Sequence, residues 1–181
     1  MMDRPSVHGA RPAASDLVAA AVLGVGIALS LSALTLVAMA EDVGRLPMPV
    51  AVAAAAHVFG KQTLGMRGLL LVGLAAHVSY LTVVTAAAVA VVRGRLTARA
   101  ALVTAAALWV VAGVTVLPYV GWAVFGSALG GGAVLQVIAL HLLYGVFLWA
   151  GSWAAFGRTA GAGGTTFTVP ADAIQPAGVS R

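Results

Sequence analysis

One short pattern, a histidine followed three residues later by a tyrosine, occurs twice in this chain. His77 and Tyr80 form the first copy, and His141 and Tyr144 form the second. Residues three apart share one face of a helix, so each copy presents an imidazole and a phenol side by side. Two imidazoles on facing helices are the axial ligands of bis-histidine haem proteins. The pattern therefore makes His77 and His141 the candidate cofactor-binding residues, with no cofactor as the main expectation and haem as the alternative.

Two further aromatic residues could belong to the same polar layer. Tyr119 follows Pro118 in a third apolar segment and is expected at a depth similar to that of the two pairs. His57 lies in a short apolar run and could approach the layer from above, which would complete a three-histidine metal site. Cysteine is absent from the chain, so thiolate-bound metals and cysteine nucleophiles are excluded.

A purely structural role competes with these chemical roles. Histidine and tyrosine hydrogen-bond between membrane helices, at about 0.6 kcal/mol per contact on average. An imidazole also titrates near neutral pH and could form a pH-sensitive contact. Three interpretations stay open: a polar layer that only joins helices, a haem or metal site, and a polar patch on a transport path. We favour the first of these.

The composition places these residues in a membrane. Hydrophobic residues make up 61% of the 181 residues and charged residues only 8%, whereas a soluble domain has about 25% charged residues. So few charges cannot cover a soluble surface, and so apolar a chain is not disordered. The net charge of +5 comes from residues between the apolar runs, so it indicates membrane topology and not binding to nucleic acid.

Four apolar runs predict an all-α membrane protein, a bundle of four transmembrane helices. The runs cover residues 17–40, 68–92, 100–125 and 134–156. Each exceeds the ~20 residues that a helix needs to cross the hydrocarbon core. The glycines at 126 and 130–132 separate the last two runs.

A fifth run, residues 50–59, is too short to cross a membrane. It lies between Pro49 and Gly60, which are ordinary start and stop signals of a helix. We expect an interfacial or re-entrant helix between the first two spans. The membrane domain then covers residues 16–157, and residues 1–15 and 158–181 are predicted to be disordered cytoplasmic tails.

Basic residues set the expected orientation of the four spans. One side of the membrane would carry Arg4, Arg11, Arg93, Arg95, Arg99, Arg158 and Arg181, and the other Arg45, Lys61 and Arg67. Because basic loops stay in the cytoplasm, both termini are expected there, in a bacterial cytoplasmic membrane. Cleavage of the first span after Ala40 is an alternative, but that span is longer than the ~7–15 apolar residues of a signal peptide.

The four runs contain no acidic residue, and this limits the function. This argues against a pump or carrier built on an intramembrane carboxylate, because that mechanism needs an acid inside a span. The main prediction is a non-enzymatic integral membrane protein, whose partners are the lipid bilayer and a second copy or another membrane protein. The alternatives are a haem- or metal-binding redox protein that uses His77 and His141, and a small transporter or channel subunit.

The arrangement of short motifs resembles the YagU-like and related families of small bacterial inner-membrane proteins. The motifs are Pro47-Met-Pro49, His57-Val-Phe-Gly60, Gly68-Leu-Leu-Leu, His77-Val-Ser-Tyr80, Leu108-Trp109, Pro118 and His141-Leu-Leu-Tyr-Gly145. Together they cover about residues 17–157. Leu81 departs from the pattern, because the second copy has Gly145 at the matching position. The resemblance implies a four-helix membrane protein and supplies no catalytic residue.

The topology is testable with reporter fusions. A reporter placed after Gly94 should report the cytoplasm, because Arg93, Arg95 and Arg99 in or beside that loop oppose its export. A reporter placed after Gly131 should report the opposite side. Reports from the same side would contradict the four-span prediction.

Overall fold

The computed structural model describes residues 14–92 and 96–156, and the regular elements in this part are helices. In chain order they are α1 (Ala14–Ala40), α2 (Val50–Phe59), α3 (Lys61–Val92), α4 (Ala98–Val111), a π-helical segment (Ala112–Val116), α5 (Leu117–Tyr119), a 3-10 helix (Val124–Leu129) and α6 (Gly131–Phe156). The predicted tails and the loop at residues 93–95 lie outside the described residues, apart from the start of α1 at Ala14.

Four of the described helical stretches are long and apolar enough to cross a membrane. They are α1, α3, the continuous stretch from α4 through α5 (Ala98–Tyr119), and α6. They carry apolar side chains on every face, as expected of helices that contact both lipid and one another. The predicted fold class, a four-helix membrane bundle with one short helix between the first two spans, is confirmed.

α3 begins at Lys61, but Gly65 breaks its helical backbone with φ 61° and ψ 173°. The unbroken part of α3 therefore begins after Gly65, close to the predicted limit at residue 68. The third span differs more from its prediction. The third span ends at Tyr119 and not at residue 125. Gly121 and Ala123 adopt positive φ angles of 84° and 58°, which end the helix.

The short helix α2 folds back against α3 as a helical hairpin. Its ten residues extend about 15 Å, half the thickness of the hydrocarbon core. Gly60 makes the turn between the two helices at φ 77°, a conformation that costs glycine little. A Cβ at Gly73 would lie 2.9 Å from the Cα of Val52, so the missing side chain of Gly73 lets the two backbones approach. The end of the bundle that carries α2 is called the α2 end below.

The spans pack in an open arc. α1 lies against both α3 and α6, and α4 lies against α6. A Cβ at Gly24 of α1 would be 2.7 Å from the Cα of Thr82 of α3, so glycine is required at this crossing. The half of the bundle away from α2 is closed by a buried cluster that includes Ile27, Leu81 and Leu148.

The loop between α1 and α2 is held down by one side chain of α6. The amide oxygen of Gln136 accepts hydrogen bonds from the backbone N–H groups of Arg45 and Leu46, the second at 3.1 Å. Leu46 is buried. A backbone N–H group that is shielded from water needs such a partner. Gln136 therefore fixes the loop over the α2 end of the bundle.

The segment after α5 tucks inward at the α2 end. Trp122 is 8% exposed and packs with Leu117 and Val137. The ring of Phe125 occupies the space beside Gly113 of the π-helical segment and stacks on Trp109 with ring centroids 4.7 Å apart. Trp122 and Phe125 therefore pack inside the bundle at its α2 end.

The hairpin contact predicts a specific cost for adding a methyl group. Gly73→Ala should lower the free energy of unfolding by about 1–3 kcal/mol, because the Cβ collides with the α2 backbone. Gly26→Ala is the matched control on α1, since no atom lies within 4 Å of its Cβ position. Thermal unfolding in detergent measures both changes. Equal stabilities of the two variants would contradict the close hairpin.

Candidate functional site

A cavity of about 610 Å³ lies in the half of the bundle nearest α2. Its walls are formed by α1, α3, α4, α6 and the π-helical segment. Helix α2 and the loop before it cover the cavity at the α2 end. Of its lining side chains, six are polar: Ser32, Thr35, His77, Tyr80, His141 and Tyr144. The others are apolar, and none of the described lining residues is charged. The cavity is therefore a largely apolar space with one small group of polar side chains.

The cavity reaches the lipid-facing surface. Leu71, Phe59 and Val111 line it, and each is also about half or more exposed. These residues lie on α3, α2 and α4. The opening lies between α3 and α4, the two ends of the open arc. α1 and α6 fill the rest of the arc and link α3 to α4 on the opposite side of the bundle. The cavity is therefore open at the side of the bundle where these three residues lie.

His77 is held by a hydroxyl group of the neighbouring span. Its Nδ1 lies 2.9 Å from the Oγ of Ser32 on α1. The side chain is partly buried and lines the cavity. Within the two described ranges, its Nε2 has no hydrogen-bond partner. The imidazole is thus oriented by one nitrogen while the other stays available.

His141 is held by its own helix. Its Nδ1 lies 2.8 Å from the carbonyl oxygen of Val137, one turn earlier in α6. The side chain is also partly buried and lines the same cavity as His77. Among residues 14–92 and 96–156, no group bonds its Nε2. The two predicted ligands therefore share one cavity, and each is anchored through Nδ1.

The two tyrosines of the repeated pattern have different surroundings. Tyr144 is 2% exposed, and its hydroxyl lies 3.3 Å from the Oγ1 of Thr85. That pair joins α6 to α3 beside the closed half of the bundle. Tyr80 lines the cavity but is 47% exposed. Tyr144 is thus a structural link, whereas Tyr80 lies near the open side.

His57 and Tyr119 form a second, separate group at the α2 end. Their ring centroids are 4.4 Å apart. His57 lines a smaller cavity of about 250 Å³ together with Lys61 and Trp122, and it does not line the larger one. The described residues contain no group of three or more histidine and acidic side chains that could hold a metal ion. The structure therefore does not bring His57 together with His77 and His141.

The hydroxyl residues that support the site were not identified from the sequence. Ser32 orients His77, and Thr85 pairs with Tyr144. Serine and threonine in a membrane helix usually bond the carbonyl one turn earlier, as Ser30 and Thr35 do here. The sequence offers no signal that separates Ser32 from these neighbours.

Comparison with known proteins adds no further assignment. No family model, curated protein or solved structure matches this chain. The resemblance to the YagU-like families stays an expectation from the sequence.

The Tyr144–Thr85 contact predicts a modest loss of stability. Tyr144→Phe should lower the free energy of unfolding by about 1 kcal/mol, because it removes a buried hydrogen bond between spans. Tyr80→Phe is the control, since its hydroxyl has no partner in the described part of the chain. Chemical or thermal unfolding in detergent compares them. A loss for Tyr80→Phe as large as that for Tyr144→Phe would contradict the assignment.

Proposed function

We propose that this protein binds a small apolar molecule, taken laterally from the bilayer, in the cavity of its α2 half. The main support for this proposal is the cavity, an apolar space lined by two imidazoles whose Nε2 atoms have no hydrogen-bond partner among the described residues. Its volume of about 610 Å³ lies within the roughly 300–1,000 Å³ typical of small-molecule sites. Such sites combine mostly apolar walls with a few convergent polar groups.

The lateral opening supports a ligand that arrives through the membrane. Leu71, Phe59 and Val111, which surround the opening, are apolar and exposed. A lipid-soluble molecule therefore meets no polar barrier at the opening. A water-soluble molecule would have to cross this apolar rim. An empty cavity of this size would also forfeit the dispersion contacts of its walls. An apolar occupant restores those contacts.

The free nitrogens favour an occupant with a polar end. A polar group in an apolar environment costs free energy unless it is hydrogen-bonded, about 1–3 kcal/mol in proteins. The Nε2 atoms of His77 and His141 lack protein partners among the described residues. A head group placed between them supplies the missing hydrogen bonds and orients the molecule in the cavity.

The orientation of the protein in a bacterial cytoplasmic membrane belongs to the same proposal. The arginine distribution of the sequence favours cytoplasmic termini. The start of α1 and the end of α6 lie away from α2, so the α2 end then faces the outside. The ligand would be drawn from the outer leaflet.

Haem is a second candidate ligand, and one observation favours it. Histidines that bind metals usually donate the other ring N–H to a carbonyl or similar group. His141 has this arrangement with Val137, and His77 can have it with Ser32. The visible spectrum of the purified protein decides between the candidates. A Soret band that is lost in both His77→Ala and His141→Ala would favour haem, and a colourless protein would contradict it.

Blocking the cavity tests the main proposal. Ala76→Trp places an indole in the cavity, because Ala76 lines it, and Ala76 is exposed, so the fold should tolerate the change. Ala75→Trp is the matched control, an exposed neighbour outside the cavity lining. The probe is an alkyl diazirine without a polar head group, activated by light in membranes that contain each variant.

The readout is the position of the adducts found by mass spectrometry. Val137 and Leu31 line the cavity but are only 3% and 5% exposed, so they report access through the cavity. Labelling of these two residues should fall by about ten-fold in Ala76→Trp and stay unchanged in Ala75→Trp. A ten-fold change corresponds to about 1.4 kcal/mol of binding free energy. Val103 is 62% exposed and outside the cavity, and it serves as the lipid-facing reference. Val137 and Leu31 without adducts in the wild type would refute the proposal.

A further inference from the structure

The two imidazoles of the cavity offer opposite hydrogen-bonding atoms. We infer that the ligand carries a neutral hydroxyl head group, which accepts a hydrogen bond from Nε2–H of His77 and donates one to the bare Nε2 of His141. This inference rests on the proposed function, because it names the class of molecule that the cavity binds. It follows from what each Nδ1 contacts.

The contact of His141 with Val137 determines its tautomer. Its Nδ1 is 2.8 Å from the carbonyl oxygen of Val137. A carbonyl oxygen can only accept a hydrogen bond, so Nδ1 carries the proton. A neutral imidazole has one N–H group. The Nε2 of His141 therefore presents a lone pair, and it needs a donor from the ligand.

The contact of His77 with Ser32 favours the other tautomer. A serine hydroxyl can donate or accept, but its proton needs an acceptor. On the same helix, the hydroxyls of Ser30 and Thr35 donate to carbonyls one turn earlier. Within the described residues, the Oγ of Ser32 contacts only His77. The Ser32 proton is satisfied when it goes to Nδ1 of His77, which leaves Nε2–H of that ring as a donor to the cavity.

A hydroxyl group matches this donor and acceptor at once. A ketone or an ether can accept from His77 but leaves the lone pair of His141 unpaired. A carboxylate cannot donate either, and its negative charge would have no described cationic side chain in the cavity, where an unpaired charge is costly. The pair of imidazoles therefore selects alcohols over ethers, ketones and carboxylates.

The cavity volume sets the size of the molecule. About 610 Å³ lies within the roughly 300–1,000 Å³ of sites that enclose one small organic molecule. A long-chain or isoprenoid alcohol is such a molecule. The apolar walls would contact the chain, and the hydroxyl would lie between α3 and α6.

A competition experiment tests this selectivity. The protein is placed in lipid nanodiscs with the alkyl diazirine probe, and labelling of Val137 and Leu31 is measured. Hexadecanol, hexadecyl methyl ether and hexadecanoic acid are added as competitors at equal mole fractions in the lipid, at an alkaline pH that keeps the acid ionised, because a neutral carboxylic acid both donates and accepts. Hexadecanol should reduce the labelling at a mole fraction about ten-fold lower than the ether or the acid, because those leave a buried acceptor unpaired or a charge unpartnered.

Variants and nitrogen NMR complete the test. His141→Phe should retain labelling of the cavity but lose the preference for the alcohol, whereas His57→Phe, in the separate group at the α2 end, should keep it. Imidazole ¹⁵N spectra should show His77 protonated at Nε2 and His141 at Nδ1. Equal competition by alcohol and ether, stronger competition by the acid, or the same tautomer at both histidines overturns the inference while leaving the proposed function standing. Absence of labelling in the cavity overturns the proposed function itself.

Discussion

The structure depends on one constraint: within a bilayer, the polar groups of the protein must find partners in the protein itself. The backbone meets it by forming helices in the four spans. The loop after α1 meets it through Gln136, whose side chain accepts from two backbone N–H groups. The hydroxyl groups of Ser30 and Thr35 meet it through carbonyls of their own helix, and that of Thr85 meets it through Tyr144. The same constraint makes each polar atom without a partner informative.

The unpartnered polar atoms fall into two kinds. Trp109 Nε1, Thr82 Oγ1 and Ser152 Oγ are buried without a hydrogen bond, and their side chains do not line the large cavity. They are enclosed by packing, so no ligand reaches them there. The Nε2 atoms of His77 and His141 belong to side chains that line an open, apolar space. Of the two kinds, only the Nε2 atoms of the histidines can be satisfied by a molecule from the membrane.

The parts of this architecture that follow from local patterns could be predicted from the sequence. Pro49 and Gly60 mark both ends of α2, because each residue has a backbone preference that acts without tertiary contacts. The details that depend on packing could not. Phe125 adopts a φ of 55°, which is uncommon for a bulky residue, to place its ring beside Gly113. The repeated pattern indicates His77 and His141 as candidate site residues. The role of Ser32 depends on how α1 crosses α3, which no local pattern indicates.

A structure of the protein crystallised from a lipidic mesophase would show whether the cavity binds a molecule in a membrane-like environment. We expect elongated non-protein density that enters between Phe59, Leu71 and Val111 and ends between the imidazoles of His77 and His141. A bundle in which α3 packs directly against α4, with no space between them, would contradict it. So would a cavity that holds only water.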